Sequence, residues 1–200
     1  MEKDYQRKHR MGGRPPKLSV PDKLMIMLQY YREYRAMDNI AFDYGVSKST
    51  ISDAVKWVEE ALVKDGTFHL PSKRKLIEGS SIEVVLVDTT ECEINRPQKK
   101  QRRYYSGKKK KHTLKLQIFA DTKTLDIICI AVSRGKTHDF NLLTAEEKAY
   151  NRMISKRRIY IEHINRYIKR FRILSSRYRN QRKRFALWAS LICGIYNFQH

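Results

Sequence analysis

The period of the hydrophobic pattern changes twice along this chain, and these changes restrict the folds that it can adopt. Between residues 19 and 64, apolar side chains recur every three to four positions, as in amphipathic helices. The runs SIEVVLVD, HTLKLQIFAD and TLDIICIAV are short and apolar or alternating, which is typical of strands. From Phe140 onward the helical period returns. The pattern therefore predicts an α/β (α+β) chain, with a helical bundle, then a three-stranded antiparallel meander, then C-terminal helices.

Breaks in composition suggest where these parts begin and end. Residues 1–17 form a basic arm that contains a Gly-Gly and a Pro-Pro pair. Residues 18–65 form the first domain, and residues 66–81, which are rich in Gly, Pro, Ser and charge, form a linker. The strands and the C-terminal helices then make up a second domain, residues 82–200.

The charge of the chain points to a polyanionic partner. Its 42 Lys and Arg against 21 Asp and Glu leave a net charge of +21, spread over nearly every segment. Nucleic acid would relieve this self-repulsion, with an anionic membrane surface as the lesser alternative. The three cysteines are far apart in apolar surroundings and are typical of buried thiols in a reducing compartment. No apolar stretch is long enough to cross a bilayer, so we expect a cytoplasmic protein without a membrane partner.

Residues 40–58 have the spacing of a helix-turn-helix. That motif needs a small residue, a left-handed residue and two apolar residues, which are here Ala41, Gly45, Ile51 and Ala54. The second helix of such a motif enters the major groove of DNA with its start and outer face, where this chain has Ser47, Lys48, Ser49, Thr50 and Ser52. The alternative is a helical hairpin that serves only as a dimer contact.

A strongly basic segment separates the first two predicted strands. Residues 96–112 contain nine Lys or Arg among seventeen, with a turn expected at residues 104–107. Cations placed against phosphates release counterions, which gives affinity without sequence selectivity. We therefore expect Lys108, Lys109 and Lys110 on a protruding hairpin to track DNA, although a solvated charge run is the alternative. The tyrosines of the turn either stack on an unpaired base or pack the turn itself.

Two carboxylates stand where they would suit a metal ion that faces phosphates. Asp88 ends the first apolar run, which predicts an acid at the tip of a buried strand. Glu162 shares one helix face with the cations Arg158, Arg166 and Lys169. A strand acid and a helix acid on a basic chain indicate two-metal phosphodiester chemistry on DNA. The alternative for Glu162 is a salt bridge to Arg158 or Arg166.

The longer strings around these residues resemble the DDE transposases of bacterial insertion sequences. The resemblance covers VVLVDTTECEINRPQKKQRRYYSGKKKKHTLKLQIFAD, SRGKTHDFNLL and EEKAYNRMISKRRIYIEHINRYIKRF, and it extends to the helix-turn-helix. It implies an RNase H-like domain that binds two Mg²⁺ ions through Asp, Asp and Glu, cleaves DNA at the element ends and transfers the freed strand to target DNA. Asp88 matches the first acid and Glu162 the third. Glu162 lies in a Tyr-Arg-Glu-Lys signature in which Arg158 and Lys169 match and Ser155 replaces the tyrosine.

The second acid of that family has no counterpart in the sequence. Relatives carry it well past a Thr-His-Asp-Phe segment, whereas here Leu143 runs directly into sequence that resembles the approach to the Glu helix. We expect that several dozen residues are missing. Asp121 should lie near the beginning of the first strand, roughly 20 Å from Asp88, and Asp139 is better placed to cap a helix. Two acids alone should bind Mg²⁺ weakly.

These observations predict a protein of DNA transposition whose cleavage activity is impaired by an internal deletion. Its partners would be double-stranded DNA, namely terminal inverted repeats and target DNA, in a bacterial nucleoid. The alternative is a non-catalytic protein that occupies transposon ends as a repressor. An RNA-binding protein is a weaker alternative that rests on charge alone, and a homodimer is left open.

Overall fold

The computed structural model describes residues 16–71, 85–137, 158–180 and 182–199. Contacts divide the chain into two compact units, Met1–Thr67 and Phe68–His200. Most of the basic arm and most of the linker lie outside the described residues, and the four domain bounds given above stay predictions. Within the described ranges, no helix is both long and apolar enough to cross a membrane.

The first unit is built from helices α1 (Val20–Glu33), α2 (Met37–Asp43) and α3 (Lys48–Asp65). A capping box begins α1, because the Ser19 hydroxyl accepts the Asp22 N–H at 3.2 Å while the Asp22 carboxylate accepts the Ser19 N–H at 3.0 Å. Gly45 takes a left-handed φ of +61° between α2 and α3. The shared core includes Ile26, Met27, Tyr31, Ile40, Ala41, Ile51, Ala54 and Val58. The predicted helix-turn-helix geometry is confirmed.

The second unit contains an antiparallel sheet. Its strands are β1 (Val85–Glu93), β2 (Tyr105–Ser106), β3 (Lys111–Asp121) and β4 (Ile127–Arg134). The long strand β3 pairs with both β1 and β4, and the two residues of β2 pair with its first residues. The predicted three-stranded meander is therefore confirmed, and the hairpin adds a short fourth strand. The mixed helical and antiparallel fold class is confirmed with it.

Helices cover one face of this sheet. Helices α4 (Arg158–Lys169) and α5 (Arg172–Ser175) pack on β1, and α6 (Phe185–Gln199) packs on β4. The buried stripe of α4 includes Ile161, Ile164 and Ile168, at the spacing of a helix that faces a core. Near the end of α6, the Asn197 amide accepts the N–H of Ile127 and donates to its carbonyl, both at 2.8 Å, which joins the helix to the first residue of β4.

One backbone approach holds the beginning of this unit against α6. Phe68 lies so close to Gly194 that a Cβ on Gly194 would be 2.1 Å from the Phe68 carbonyl oxygen. The Phe68 ring also contacts the Phe198 ring, with centroids 5.4 Å apart. Only glycine fits at position 194 without moving backbone, because a real Cβ does not approach a carbonyl oxygen this closely. The chain therefore enters the second unit along its C-terminal helix.

Asp88 lies inside a strand rather than at its tip, so that prediction was wrong. Strand β1 continues from Asp88 through Glu93. Thr89 and Thr90 are β-branched and suit a strand, and Thr90 and Cys92 are buried on one face. Asp88 was placed at the tip because the apolar run ends there, with ECEI as a possible continuation of the strand. In the structure, alternating polar residues continue the same ladder through Glu93.

Candidate active site and nucleic-acid interface

Asp88 and helix α4 meet through a hydrogen bond. The Asn165 amide nitrogen donates to the Asp88 carboxylate. Asp88 is half-buried, and Asn165 is only 5% exposed on the buried stripe of α4. This contact sets the position of α4 along β1. It thereby sets where the exposed side chains of α4 lie relative to the strand.

The other predicted residues of α4 lie on the same helix as Asn165. Glu162 lies one turn before Asn165 and is exposed, and Arg166 and Lys169 are exposed beyond it. Burial raises the pKa of the Cys92 thiol to about 12, and nearby Lys169 partly opposes that shift. Among the side chains that the structure describes, no ion pair joins Glu162 to Arg166 or to Lys169. Arg158 begins α4, but its side chain lies outside the described set, as do Ser155 and Asp139.

Asp121 cannot share a metal ion with Asp88, for a reason that differs from the predicted one. In the β1–β3 register Asp121 faces Val85, only three residues from Asp88, or about 10 Å along the strand. The expected separation of roughly 20 Å was therefore too long. However, Asp88 faces Ile118, and alternation along β3 puts Ile118 and Asp121 on opposite sides of the sheet. The Asp121 carboxylate instead accepts the Lys123 N–H at 2.8 Å in the turn before β4.

The donors around Asp88 fit one hard cation better than two. Asp88 and Glu162 offer two carboxylates from neighbouring elements, and the buried Asn165 carbonyl oxygen has no hydrogen-bond partner among the described residues. Oxygen donors of this kind are those that Mg²⁺ accepts. Among the described residues, no group of three or more His, Cys, Asp or Glu could hold a metal. A pair of ions about 4 Å apart needs shared carboxylates, and the described part of the site does not supply them.

The predicted DNA-reading face of the first unit lies at the start of α3. Lys48, Ser49 and Thr50 are exposed there, and Ser52 is half-buried. Lys48 pairs with Asp38 of α2 at 2.7 Å, which orients this lysine beside the turn. The Ser47 hydroxyl accepts the Thr50 N–H at 3.2 Å and contacts the Ser49 hydroxyl at 2.7 Å. Ser47 is thus the cap of α3, while its neighbours present their side chains to solvent.

Replacing Ser47 by alanine is expected to lower stability as well as DNA affinity. The variant leaves the Thr50 N–H without its cap and should cost about 1 kcal/mol of unfolding free energy. Ser49→Ala is the matched control, because Ser49 is exposed and does not cap the helix. Thermal melts of the full chain should show a lower Tm for Ser47→Ala alone. Equal melting temperatures for the two variants would contradict the capping role.

The basic segment forms a hairpin whose turn is made of the lysines themselves. The turn was predicted at residues 104–107, but Tyr105 and Ser106 form β2 and the chain reverses over Gly107–Lys110. The Ser106 hydroxyl accepts the Lys109 N–H at 3.2 Å, and Lys110 takes a left-handed φ of +55°. Like charges are least costly at a tip where water surrounds them. Lys108, Lys109 and Lys110 therefore project from the end of the hairpin.

Lys111 differs from the three lysines before it. Its ammonium lies 2.8 Å from the Glu93 carboxylate, and Arg177 contacts the same carboxylate at 2.6 Å. The hydrogen bond from Lys111, followed by that from Arg177, lowers the pKa of Glu93. Among the described residues, Lys108, Lys109 and Lys110 form no ion pair. These three cations are therefore available to a polyanion.

The two tyrosines of the hairpin have different environments. Tyr104 packs against guanidinium groups, with Arg182 at 4.5 Å and Arg134 at 5.8 Å from its ring centroid. Tyr105 is 43% exposed and makes an edge contact with His112. Beside Tyr105, a cleft of about 680 Å³ is lined by Arg102, Lys108, Lys136 and buried Lys115, among others. Tyr105 is consequently the tyrosine that could stack on a base, and Tyr104 packs the fold.

Two features of the site escaped the sequence analysis. A groove of about 630 Å³ joins residues 94–99 to residues 178–182 and is lined by Arg96, Lys99, Arg179 and Arg182. The basic run at 177–184 is visible in the sequence. Its position beside residues 94–99 is not, because a parallel bridge between Ile94 and Tyr178 brings the two segments together. The second feature is Asn165. Its position could have been noticed in the sequence, because it is a polar residue on the apolar stripe of α4.

Comparisons with family models match nearly the whole chain in three consecutive parts. A helix-turn-helix of DDE superfamily endonucleases matches residues 16–68. A transposase DDE domain matches residues 79–146, and a DDE superfamily endonuclease matches residues 140–197. The last two models overlap at residues 140–146.

Two individual proteins are also similar. The probable transposase for insertion sequence element IS702 from Microchaete diplosiphon is 36% identical over 236 residues, which cover 97% of this chain and 86% of the relative. Since 236 aligned positions exceed the 200 residues of this chain, at least 36 of them lack a counterpart here. A crystal structure of a pre-cleavage Mos1 transpososome matches with a TM-score of 0.21 and 12% identity. It covers 78% of this chain and 52% of that chain.

Proposed function

Because this chain belongs to the DDE-type transposases of insertion sequences, we propose that it binds the ends of its element and cleaves them poorly or not at all. The first unit would read double-stranded DNA at the terminal inverted repeats through the start of α3. The second unit would hold the same DNA next to Asp88 and Glu162. Both parts act on one polyanion, which accounts for the net charge of +21.

The contact between Asp88 and Asn165 is the observation that carries the proposal. It joins α4 to β1, and Glu162 lies about one helical turn before the residue that contacts Asp88. These two carboxylates would be the metal ligands in this chain. When bound, Mg²⁺ would polarise the scissile phosphodiester and promote attack by water or by a 3′-hydroxyl.

Cations next to the carboxylates would position the DNA. Arg166 and Lys169 are exposed on α4, and Arg158 begins the same helix, so all three would contact phosphates near the metal. Lys108, Lys109 and Lys110 at the hairpin tip would contact phosphates further along the duplex. These contacts orient the backbone without reading its sequence.

Impaired cleavage follows from the shortage of carboxylates. Among the described residues, no third acid joins Asp88 and Glu162 in a group that could hold a metal. Asp121 faces the other side of the sheet. The aligned positions without a counterpart in this chain support an internal loss of the segment that bears the second acid. Two carboxylates leave the charge of two divalent cations uncompensated, so binding should be weak.

The first test is a cleavage assay with DNA that carries the ends of the element. We expect the purified full chain to retard this DNA in gels and to nick it no faster than Asp88→Asn does, with Mg²⁺ or Mn²⁺ present. The control separates contaminating nucleases from the site, since only site-dependent nicking is lost in Asp88→Asn. Nicking that disappears in that variant would overturn the proposed impairment.

The complete helix-turn-helix favours repression as a second function. Its turn, its cap and its core are all formed, whereas the acidic site is short of one member. A protein that binds ends without cutting them would exclude intact transposase. Co-expression with an intact copy of the element should therefore lower its transposition frequency, and a Lys48→Glu variant should lower it less.

A further inference from the structure

Asn165 occupies a place where a polar side chain is costly. It lies four residues after Ile161 and three before Ile168 on the buried stripe of α4, and it is 5% exposed. An amide in such a place loses its hydrogen bonds to water and must recover them within the protein. Leucine has a similar size and would fill the same stripe at no such cost. Packing alone therefore does not explain why an amide occupies this position.

Within the described part of the chain, one half of this amide has a partner. Its nitrogen donates to the Asp88 carboxylate, while its buried carbonyl oxygen accepts no hydrogen bond from any described residue. Leaving a buried acceptor unsatisfied lowers stability, because the group loses its hydrogen bonds to water without replacing them. The unused atom is an oxygen donor, and it belongs to a side chain that already touches a candidate metal ligand.

A cation would change which half of the amide faces Asp88. A half-turn of the carboxamide exchanges its oxygen and its nitrogen with little change of shape. Carbonyl and carboxylate oxygens repel each other across such a contact unless a cation lies between them. With the cation present, the same two side chains become two oxygen ligands of one ion.

We infer that Asn165 is a ligand of a single divalent cation that it shares with Asp88 and Glu162. The inference rests on the proposed function and deepens it by adding a residue to the metal site. The amide supplies an oxygen in a site that is short of one acid, but it supplies no charge. One hard cation can be held by two carboxylates, an amide oxygen and water, whereas a second ion would lack anionic ligands.

The experiment measures Mn²⁺ binding to the EDTA-stripped full chain without DNA, by the electron paramagnetic resonance signal of free Mn²⁺. Asn165→Leu should raise the Kd roughly 10-fold or more, and Asn165→Asp should lower it below the wild-type value because it adds a charge. The matched control is Asn197→Leu, which removes a half-buried amide that binds only β4 backbone. That control should leave the Kd unchanged, and melts with EDTA identify any variant that fails to fold.

A second measurement tests whether the Asn165 amide responds to the ion. In ¹⁵N-labelled wild-type protein, the side-chain amide signal that is absent in Asn165→Leu should shift when Mg²⁺ is added, because its nitrogen leaves Asp88. An unshifted signal at saturating Mg²⁺ would overturn the inference.

The variants also distinguish this inference from the proposed function. If Asp88→Asn loses Mn²⁺ while Asn165→Leu binds it as tightly as wild type, Asn165 is not a ligand and the carboxylate site stands. If Asp88→Asn binds Mn²⁺ with the wild-type Kd, the ion lies elsewhere, and both the inference and the proposed metal site fail.

Discussion

Gly194→Ala should destabilise the second unit by about 2 kcal/mol, although alanine is the better helix former. In the interior of α6 the exchange would favour the folded state by up to about 1 kcal/mol through helix propensity. The new Cβ, however, would lie 2.1 Å from the Phe68 carbonyl oxygen and 2.8 Å from its carbon. Both are backbone atoms, and overpacking of this kind costs roughly 1–3 kcal/mol or more. Sterics should therefore prevail, and thermal denaturation should show a Tm lower by several degrees.

Gly107→Ala provides the control for this substitution. A Cβ at Gly107 would meet nothing within 4 Å, and this glycine does not adopt a positive φ. The control should leave the Tm unchanged or raise it slightly through the unfolded state. A Gly194→Ala protein that melts at or above the wild-type temperature would show that Phe68 does not approach α6 as described.

Replacing Lys108, Lys109 and Lys110 together by glutamine should weaken DNA binding about 100-fold at 0.15 M salt. Each phosphate contact contributes roughly 0.9 to the slope of log K against log[salt], so three contacts should lower that slope by about 2.7. The three side chains are exposed at the hairpin tip and form no ion pair with another described residue. Affinity measured on duplexes of unrelated sequence, from low to high salt, checks both numbers.

The arginine triple variant tests whether charge is the cause. Lys→Arg at the same three positions keeps every cation and should retain both the affinity and the slope. A Gln variant with an unchanged slope would mean that the hairpin tip points away from the DNA. The same loss of affinity on every sequence is expected, because phosphate contacts carry no base information.

Local patterns predicted the first unit almost completely. The motif around Gly45 depends on neighbouring residues: a left-handed turn, a serine cap and an apolar stripe are all readable within a few positions. The three long strands were predicted for the same reason, since alternation is a local signal. The hairpin turn was misplaced because Ser106 and Gly107 are typical turn residues, whereas Tyr105 and Ser106 form β2 and the chain reverses over the lysines that follow.

The arrangement of the candidate site could not be obtained in that way. Asp121 was judged by distance along the chain, but the register of β1 and β3 decides which side of the sheet it faces. Asn165 meets Asp88 across 77 positions of sequence, and no periodicity specifies such a pair. A pair of this kind can be predicted only when the packing of α4 on β1 is known.

The position of α6 in the chain has a consequence for synthesis. Strand β4 is joined to Asn197 by bonds that span 70 residues, and Phe68 rests on a helix that the ribosome makes more than a hundred residues later. The first unit, whose helices are contiguous in sequence, can finish folding while the second unit is still being translated. A nascent chain of this kind can therefore expose a folded first unit before its second unit has closed.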